Sequence, residues 1–130
     1  MHFKREKWRE AAVKGLGETL RDCEELLREQ VENNIAELWC IDGHSWMITR
    51  TEYFPNRQPE LVVCCYKGEQ VKAVTKVIYE TAIKQGFGSI RYHTQRPGLN
   101  RLVSDLGFEF MESIYHKQIV HKKINTLSEA

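Results

Sequence analysis

The chain has 130 residues, with 19 Lys and Arg against 18 Asp and Glu, and a formal net charge of +1 at pH 7. This length predicts one domain that buries roughly two-thirds of its unfolded surface, and the charge balance argues against nucleic acid or an anionic membrane as a partner. The longest apolar run, Leu61 to Tyr66, is far shorter than the roughly 20 residues that span a bilayer, so we expect no membrane segment.

The N-terminal segment, residues 1–34, has the pattern of an amphipathic helix. Apolar residues recur at helical spacing, at Trp8, Ala12, Leu16, Leu20, Cys23 and Leu27. Gly15 and Gly17 lie inside this pattern, and each costs about 1 kcal/mol relative to alanine in a helix interior, so we predict a helix with a break. Trp8 has two interpretations, a place in the core or on an exposed partner surface, and we favour the core.

Two strands and a third, fully apolar strand follow. Ile35 to Ile41 and Ser45 to Phe54 flank an Asp-Gly dipeptide, which predicts a hairpin. Pro55 and Pro59 bracket a predicted polar loop. Glu60 to Tyr66 is so uniformly apolar that both faces must be covered, which predicts the central strand of a sheet.

The pattern then becomes that of a crossover. Glu69 to Gly86 predicts a helix, and Ser89 to Thr94 predicts a strand that a right-handed crossover places parallel to the central one. A second helix from Pro97 to about Gly107 and a final strand from about Phe108 to Ile119 complete the elements. We therefore divide one domain, residues 1–130, into a helical segment (1–34), a sheet with crossover helices (35–119) and a polar tail (120–130).

The cysteines and histidines give no metal signature. Cys64 and Cys65 are neighbours on a predicted strand, so their side chains should point to opposite faces. No Cys or His spacing matches a metal site, and we predict reduced, buried thiols and no metal.

Two stretches resemble the Gcn5-related N-acetyltransferase (GNAT) family. They are the helix end AIKQG (82–86) with the strand SIRYHT (89–94), and the later LNRLVSDLGFEF (99–110). The similarity extends over residues 35–119 and implies an α/β (α+β) fold, a GNAT-like mixed sheet flanked by helices. The strand that opens such a fold is absent here or reduced to a few residues near His2 to Lys4.

The resemblance also implies a site for acetyl-CoA or another acyl-CoA. The family holds the pyrophosphate on a Q/R-x-x-G-x-G/A loop, where backbone N–H groups and the helix dipole favour an anion. In this chain the loop falls on Tyr66 to Val71, and its glycine positions hold Glu69 and Val71. Either Gly68 and a neighbouring lysine approach a phosphate, or the segment is only a turn into the helix. The candidate cofactor-binding residues are Val63, Cys65, Lys67, Gly68, Gln70, Val71 and Lys72.

The family's catalytic positions are altered. Its proton donor, a tyrosine four residues before the Gly-Phe corner, corresponds to Val103, and a common asparagine corresponds to Arg96. A phenol or imidazole can substitute when its pKa is suitably tuned. The candidates for that role are Tyr92, His93 and Tyr115. The carboxylates available as a base, which we otherwise expect to be solvated turn or edge residues, are Asp42, Glu52 and Glu60.

A basic cluster surrounds the second predicted parallel strand. It includes His93, and the residues predicted to bind an anion or partner are Arg91, Arg96, Asn100 and Arg101. Guanidinium groups bind phosphate oxygens bidentately. The alternative is a solvated edge balanced by Asp105 and Glu109.

Three hypotheses for function follow. The first is a divergent, phage-type GNAT-like protein with degenerate acyl-CoA motifs, which acts through contacts with a virion or host protein in the host cytoplasm or the virion. The second is an active acyl-CoA-dependent N-acyltransferase. The third, a protein that binds or modifies nucleic acid, requires a larger basic surface than this cluster.

Overall fold

The computed structural model describes residues 1–93, and eight helices and strands lie within them. They are β1 (Phe3–Glu6), α1 (Glu10–Leu16), α2 (Glu24–Glu32), β2 (Ala36–Ile41), β3 (Ser45–Phe54), β4 (Arg57–Lys67), α3 (Val71–Lys84) and β5 (Ser89–Tyr92). The strands form one sheet in the order β1-β2-β3-β4-β5. The first three pairings are antiparallel and β4 pairs with β5 in parallel. The predicted mixed sheet flanked by helices is therefore confirmed, and β1 is the short opening strand.

The elements predicted between Pro97 and Ile119, the Gly-Phe corner and the tail lie outside the described residues. Candidate residues Arg96, Asn100, Arg101 and Tyr115 also lie there.

The predicted break in the N-terminal helix is confirmed. Two short 3-10 turns, Gly17–Thr19 and Arg21–Cys23, separate α1 from α2. Gly17 has a φ of +50°, a conformation that glycine adopts without the steric cost of a Cβ. Gly15 has a different use, because a Cβ there would lie 2.2 Å from the indole of Trp46. Both glycines are therefore explained by the way the helices meet the sheet.

The turn from β2 to β3 is as predicted, and the turn from β3 to β4 is shorter than predicted. Asp42 and Gly43 have φ values of +52° and +79° at the turn from β2 to β3, as the Asp-Gly pair predicts. The predicted loop from Pro55 to Pro59 is wrong, because Phe54 already pairs with Arg57 and the proline at 59 lies inside β4. Proline is accommodated where a strand is irregular, and the register of β3 and β4 shifts beside this turn.

The sheet separates two apolar clusters, so β4 is covered on both faces, as predicted. On one face Leu16 and Leu20 pack with Leu38, Ile48 and other residues beneath α1 and α2. On the other face α3 packs on a second cluster, whose members are Ile41, Met47, Val63, Tyr66, Val74 and Ile78. Partly buried Trp8 packs against the first cluster, which confirms its interpretation as a core residue. We call these the α1–α2 face and the α3 face.

A bulge in β4 places the two neighbouring cysteines on one face. Ile48 pairs with Cys65 and Thr49 with Val63, so Cys64 has no partner on β3. A bulged residue disturbs the alternation of side chains. Cys64 packs against the same α1–α2 cluster that contains Cys65, and the prediction of opposite faces is wrong. All four cysteines are free, as predicted, but Cys23 is exposed rather than buried.

Candidate functional site

Charged side chains share the α1–α2 face across β3, β4 and β5. Arg50 pairs with Val62, which pairs with Arg91, and Glu52 pairs with Glu60 in the adjacent row. Directly paired residues point to the same face of a sheet. Val63, which follows Val62, belongs to the α3 face, so these rows lie on the α1–α2 face. These side chains form a group that we call the polar face. Its members are Arg50, Glu52, Glu60, Arg91 and His93.

Arg91 joins the two carboxylates of the polar face. Its Nη2 is hydrogen-bonded to Glu52, and its Nη1 lies 3.4 Å from an Oε of Glu60. Ser89 Oγ donates a second hydrogen bond to Glu60, at 2.8 Å. Like charges opposite each other on neighbouring strands destabilise a sheet, so the guanidinium offsets that repulsion.

One expectation about these carboxylates is corrected. The Glu60 side chain is only 15 % exposed, so it is not the solvated edge residue that we expected. Within residues 1–93 Arg91 pairs with Glu52 and Glu60, whereas Asp105 and Glu109, the carboxylates of the alternative interpretation, lie outside the described residues. The other carboxylate considered as a base, Asp42, is exposed in its turn and accepts a hydrogen bond from the backbone N–H of His2, at 2.7 Å.

His93 lies where the parallel pairing of β4 and β5 ends. Its backbone N–H donates to the carbonyl of Val63, at 2.9 Å. Burial lowers the pKa of the imidazole, and the nearby Arg91 and Arg50 lower it further, so the ring is neutral at pH 7. His93 Nε2 and Arg91 Nε are buried and have no hydrogen-bond partner within residues 1–93. A neutral imidazole with a free nitrogen can accept or relay a proton.

Tyr92 points the other way. It packs on the α3 face, and its hydroxyl lies 2.6 Å from Oγ1 of Thr75 on α3. Burial raises the pKa of Tyr92 to about 12. Tyr92 and His93 are therefore on opposite faces of the sheet and do not converge on one reacting centre.

The loop from β4 to α3 is held by its own contacts. A Cβ on Gly68 would lie 2.2 Å from Oγ of Ser45, so the glycine permits the close packing of this loop on β3. The hydroxyl of Tyr66 donates to the carbonyl of Glu69, at 2.6 Å. Gln70 is the N-cap of α3 in a left-handed conformation, with a φ of +62°, and its own side chain forms no capping hydrogen bond. Gln70 therefore does not use the first N–H groups of α3.

The predicted cofactor-binding residues are divided among different surroundings. Val63 is fully buried on the α3 face, where Val71 also packs. Cys65 is buried on the α1–α2 face, and burial raises its pKa to about 12. Lys67, Gln70 and Lys72 are exposed beside Gly68. Only the residues from 67 to 72 therefore surround the start of α3.

Sequence reasoning missed Arg50. Its alternation with Glu52 along β3 was visible, but the pairing that sets it in one row with Arg91 depends on the bulge at Cys64. Strand register decides which side chains face each other. The bulge that sets this register was not predicted from the sequence.

A separate groove of about 530 Å³ lies at the other edge of the sheet. It runs between β1 and α1 and is lined by Lys4, Glu6, Arg9, Cys40 and Trp46, among others. The Arg9 guanidinium lies 5.3 Å from the centre of the Trp46 ring and pairs with Glu6 at 3.3 Å. None of the predicted site residues lines this groove.

Within residues 1–93, no group of three or more His, Cys, Asp and Glu side chains has the arrangement of a metal site. None of the helices in that range combines the length and the apolar character needed to cross a membrane.

No protein-family model and no curated protein sequence matches the chain. Solved structures do match it. A probable acetyltransferase aligns with a TM-score of 0.60 at 6% identity, over 88% of this chain and 93% of that one. A ribosomal-protein-alanine N-acetyltransferase from Brucella melitensis biovar Abortus 2308 gives 0.58 at 13% identity, over 86% and 94%. A transcriptional regulator from Bacillus halodurans C-125 gives 0.52 at 12% identity, over 83% and 93%. The chain therefore has a divergent GNAT-like fold.

Proposed function

We propose that this chain is an atypical member of the acetyltransferase fold that acts through protein contacts and does not transfer acetyl groups from acetyl-CoA. The loop from β4 to α3 carries the proposal. Gly68 packs directly against the side chain of Ser45. The side chain of Val71 packs on the core of the α3 face. In the GNAT family, glycines in this loop let phosphates approach the backbone. Here a carboxylate, that of Glu69, and a partly buried valine, Val71, stand at those positions.

Exposed apolar side chains support a role in protein contacts. Tyr79 and Ile83 are 54% and 58% exposed on α3. Residues four apart lie on one face of a helix, so the two form a pair on its outer side. Tyr53 on β3 is 79% exposed. Tyrosine is enriched in protein interfaces because its ring buries a large area and its hydroxyl remains available for hydrogen bonds.

The proposal extends to a bacteriophage origin and a place in the virion or the host cytoplasm. It is supported by the resemblance of this short chain, with its helical N-terminal third, to small GNAT-like proteins of tailed bacteriophages, some of them internal virion proteins. Mass spectrometry of purified particles of a phage that carries the gene, and of the infected-cell lysate, tests it. Peptides at constant copy number per particle are expected. Peptides found in the lysate alone would refute the virion role.

The loss of acetyl-CoA binding is tested by thermal unfolding and calorimetric titration of the whole chain with millimolar acetyl-CoA. A ligand at 100 times its dissociation constant adds about 2.7 kcal/mol of stability, and we expect no stabilisation. Lys72→Glu at the start of α3 is the test variant, and Lys76→Glu one turn later is its matched control, since both side chains are exposed. Stabilisation that Lys72→Glu removes and Lys76→Glu retains would show coenzyme at the start of α3 and overturn the proposal.

The second candidate function is an active acyl-CoA-dependent N-acyltransferase. The surroundings of His93 support it. Its imidazole is kept neutral by burial and by two arginines, its Nε2 has no partner among the described residues, and it stands at the end of the parallel pairing of β4 with β5. In the GNAT family, acyl-CoA lies where the central strand separates from its neighbour. This position supports His93 as the group that accepts the proton released by an attacking amine.

This second function is tested by acetyl-CoA consumption against a panel of amines, with His93→Gln as the variant. An active enzyme is expected to lose about 100-fold or more of its rate in His93→Gln. It should retain its rate in Tyr92→Phe, whose side chain lies on the opposite face. An equal rate in His93→Gln would exclude His93 as the base, and no turnover in the native chain would exclude this function.

A further inference from the structure

The polar face has two arginines whose side chains point over the same residue. Arg50 on β3 and Arg91 on β5 each pair with Val62 of β4. Neighbouring strands lie about 4.8 Å apart, so the two arginine backbones are separated by about 10 Å, with the valine between them. Arginine side chains are long enough to meet at a group placed above Val62 from both sides.

The two carboxylates of the polar face both pair with the same arginine, Arg91. Glu52 and Glu60 are both bound by Arg91, and Glu60 accepts a further hydrogen bond from Ser89. The side chain of Arg50 forms no hydrogen bond or ion pair with the other residues from 1 to 93. Within that range, one guanidinium therefore holds two carboxylates, and the other holds none.

Two buried nitrogens of the polar face have no hydrogen-bond partner within residues 1–93. Arg91 Nε and His93 Nε2 are shielded from water and have no partner in the described part of the chain. Buried polar groups in proteins are nearly always hydrogen-bonded. The field here also favours an anion, because Arg91 and Arg50 affect the pKa of His93 more strongly than the opposing Glu52 and Glu60 do.

We propose that Arg50, Arg91 and His93 form a binding site for an anionic group, a carboxylate or a phosphate of a small ligand, above Val62. Guanidinium groups bind both kinds of anion through charge-assisted hydrogen bonds, and the neutral imidazole adds a third contact by donating from Nε2 in the tautomer that carries its proton there. The site is on the α1–α2 face and does not depend on the proposed function, since it requires neither acetyl-CoA nor a protein partner.

The experiment measures binding of inorganic phosphate and, separately, of citrate to the whole chain at constant ionic strength. Calorimetric titration gives the dissociation constant, and the NMR shifts of the His93 imidazole report where the anion binds. We expect Arg50→Gln to weaken binding by about tenfold or more, the effect of losing one charge-assisted hydrogen bond. Arg28→Gln on α2, which removes an exposed arginine paired with Glu32, should leave binding unchanged. Arg50→Lys keeps the charge and is expected to retain part of the affinity.

The anion preference identifies the class of ligand, and the variants test the location of the site. Tighter binding of phosphate identifies a phosphate ligand, and tighter binding of citrate identifies a carboxylate ligand. Binding that survives Arg50→Gln but is lost in Lys72→Glu would place the anion at the start of α3 and overturn the proposal. Failure of both anions to bind or to shift the His93 resonances would overturn it as well.

Discussion

Gly68 and Ser45 are in such close contact that a single added carbon does not fit between them. A Cβ built on Gly68 would lie 2.2 Å from Oγ and 2.5 Å from Cβ of Ser45, and Ser45 is itself 1% exposed. The contact joins the start of β3 to the loop before α3. It explains a glycine in the loop without any ligand, which is why the loop can differ from the family pattern and still fold.

We expect Gly68→Ala to lower the free energy of unfolding by about 3 kcal/mol, because overpacking in a buried contact and an unfavourable positive φ both contribute. Urea denaturation measures the loss. Gly43→Ala is the matched control, since Gly43 also has a positive φ but has open space around its Cβ position. The double variant Gly68→Ala with Ser45→Gly should recover part of the loss, and equal losses in the two single variants would argue against the packing explanation.

Arg91 should be more important for stability than its neighbours on β5. Removing it in Arg91→Met leaves Glu52 and Glu60 facing each other with no cation between them. Because the side chain of Glu52 is 37% exposed, water screens part of this repulsion, and we expect a loss of about 2 kcal/mol. Urea denaturation provides the measurement.

The triple variant Arg91→Met with Glu52→Gln and Glu60→Gln tests the cause. It removes the repulsion together with the arginine and should be more stable than Arg91→Met alone. If the triple variant is equally unstable, packing of the arginine side chain rather than charge is responsible.

The stability of the fold should depend on pH through His93. Its pKa is lowered in the folded chain, so below the unfolded value of about 6.5 the unfolded state binds a proton that the folded state resists. Stability should therefore fall as the pH decreases through 6.5 and be fully present above it. The comparison is between urea denaturation at mildly acidic and at neutral pH, in the native chain and in His93→Gln.

The variant should lose part of this dependence on pH. His2→Gln, at an exposed histidine, serves as the control and should behave like the native chain. The same slope in all three chains would show that His93 is not the group responsible.

Thr75 and Tyr92 should behave as a coupled pair. Their hydroxyls are 2.6 Å apart and Thr75 is 1% exposed, so Tyr92→Phe leaves a buried hydroxyl with less than its full set of partners. We expect a loss of about 1–3 kcal/mol, with a smaller loss in the double variant Tyr92→Phe with Thr75→Val. A double-mutant cycle by urea denaturation measures the coupling, and additive losses would contradict it.

Much of the fold followed from local patterns. The helical spacing from Trp8 to Leu27, the two glycines that break it, the Asp-Gly turn and the apolar run of β4 each depend on neighbours within a few residues. Such signals are contained in the chain itself, because backbone propensity and periodicity are local properties. They predicted the order of the elements and the parallel pairing of β4 with β5 within residues 1–93.

The candidate site was decided by tertiary structure. His93 and Arg91 could be named from the sequence, but Arg50, Glu52 and Glu60 join them only because β3, β4 and β5 pair in one register. The bulge at Cys64 sets that register, and a shift of one residue would turn every side chain to the other face. The separation of Tyr92 from His93 has the same origin, since alternation along a strand sends neighbours to opposite sides. Local sequence therefore determined which elements form, and long-range pairing determined which side chains meet.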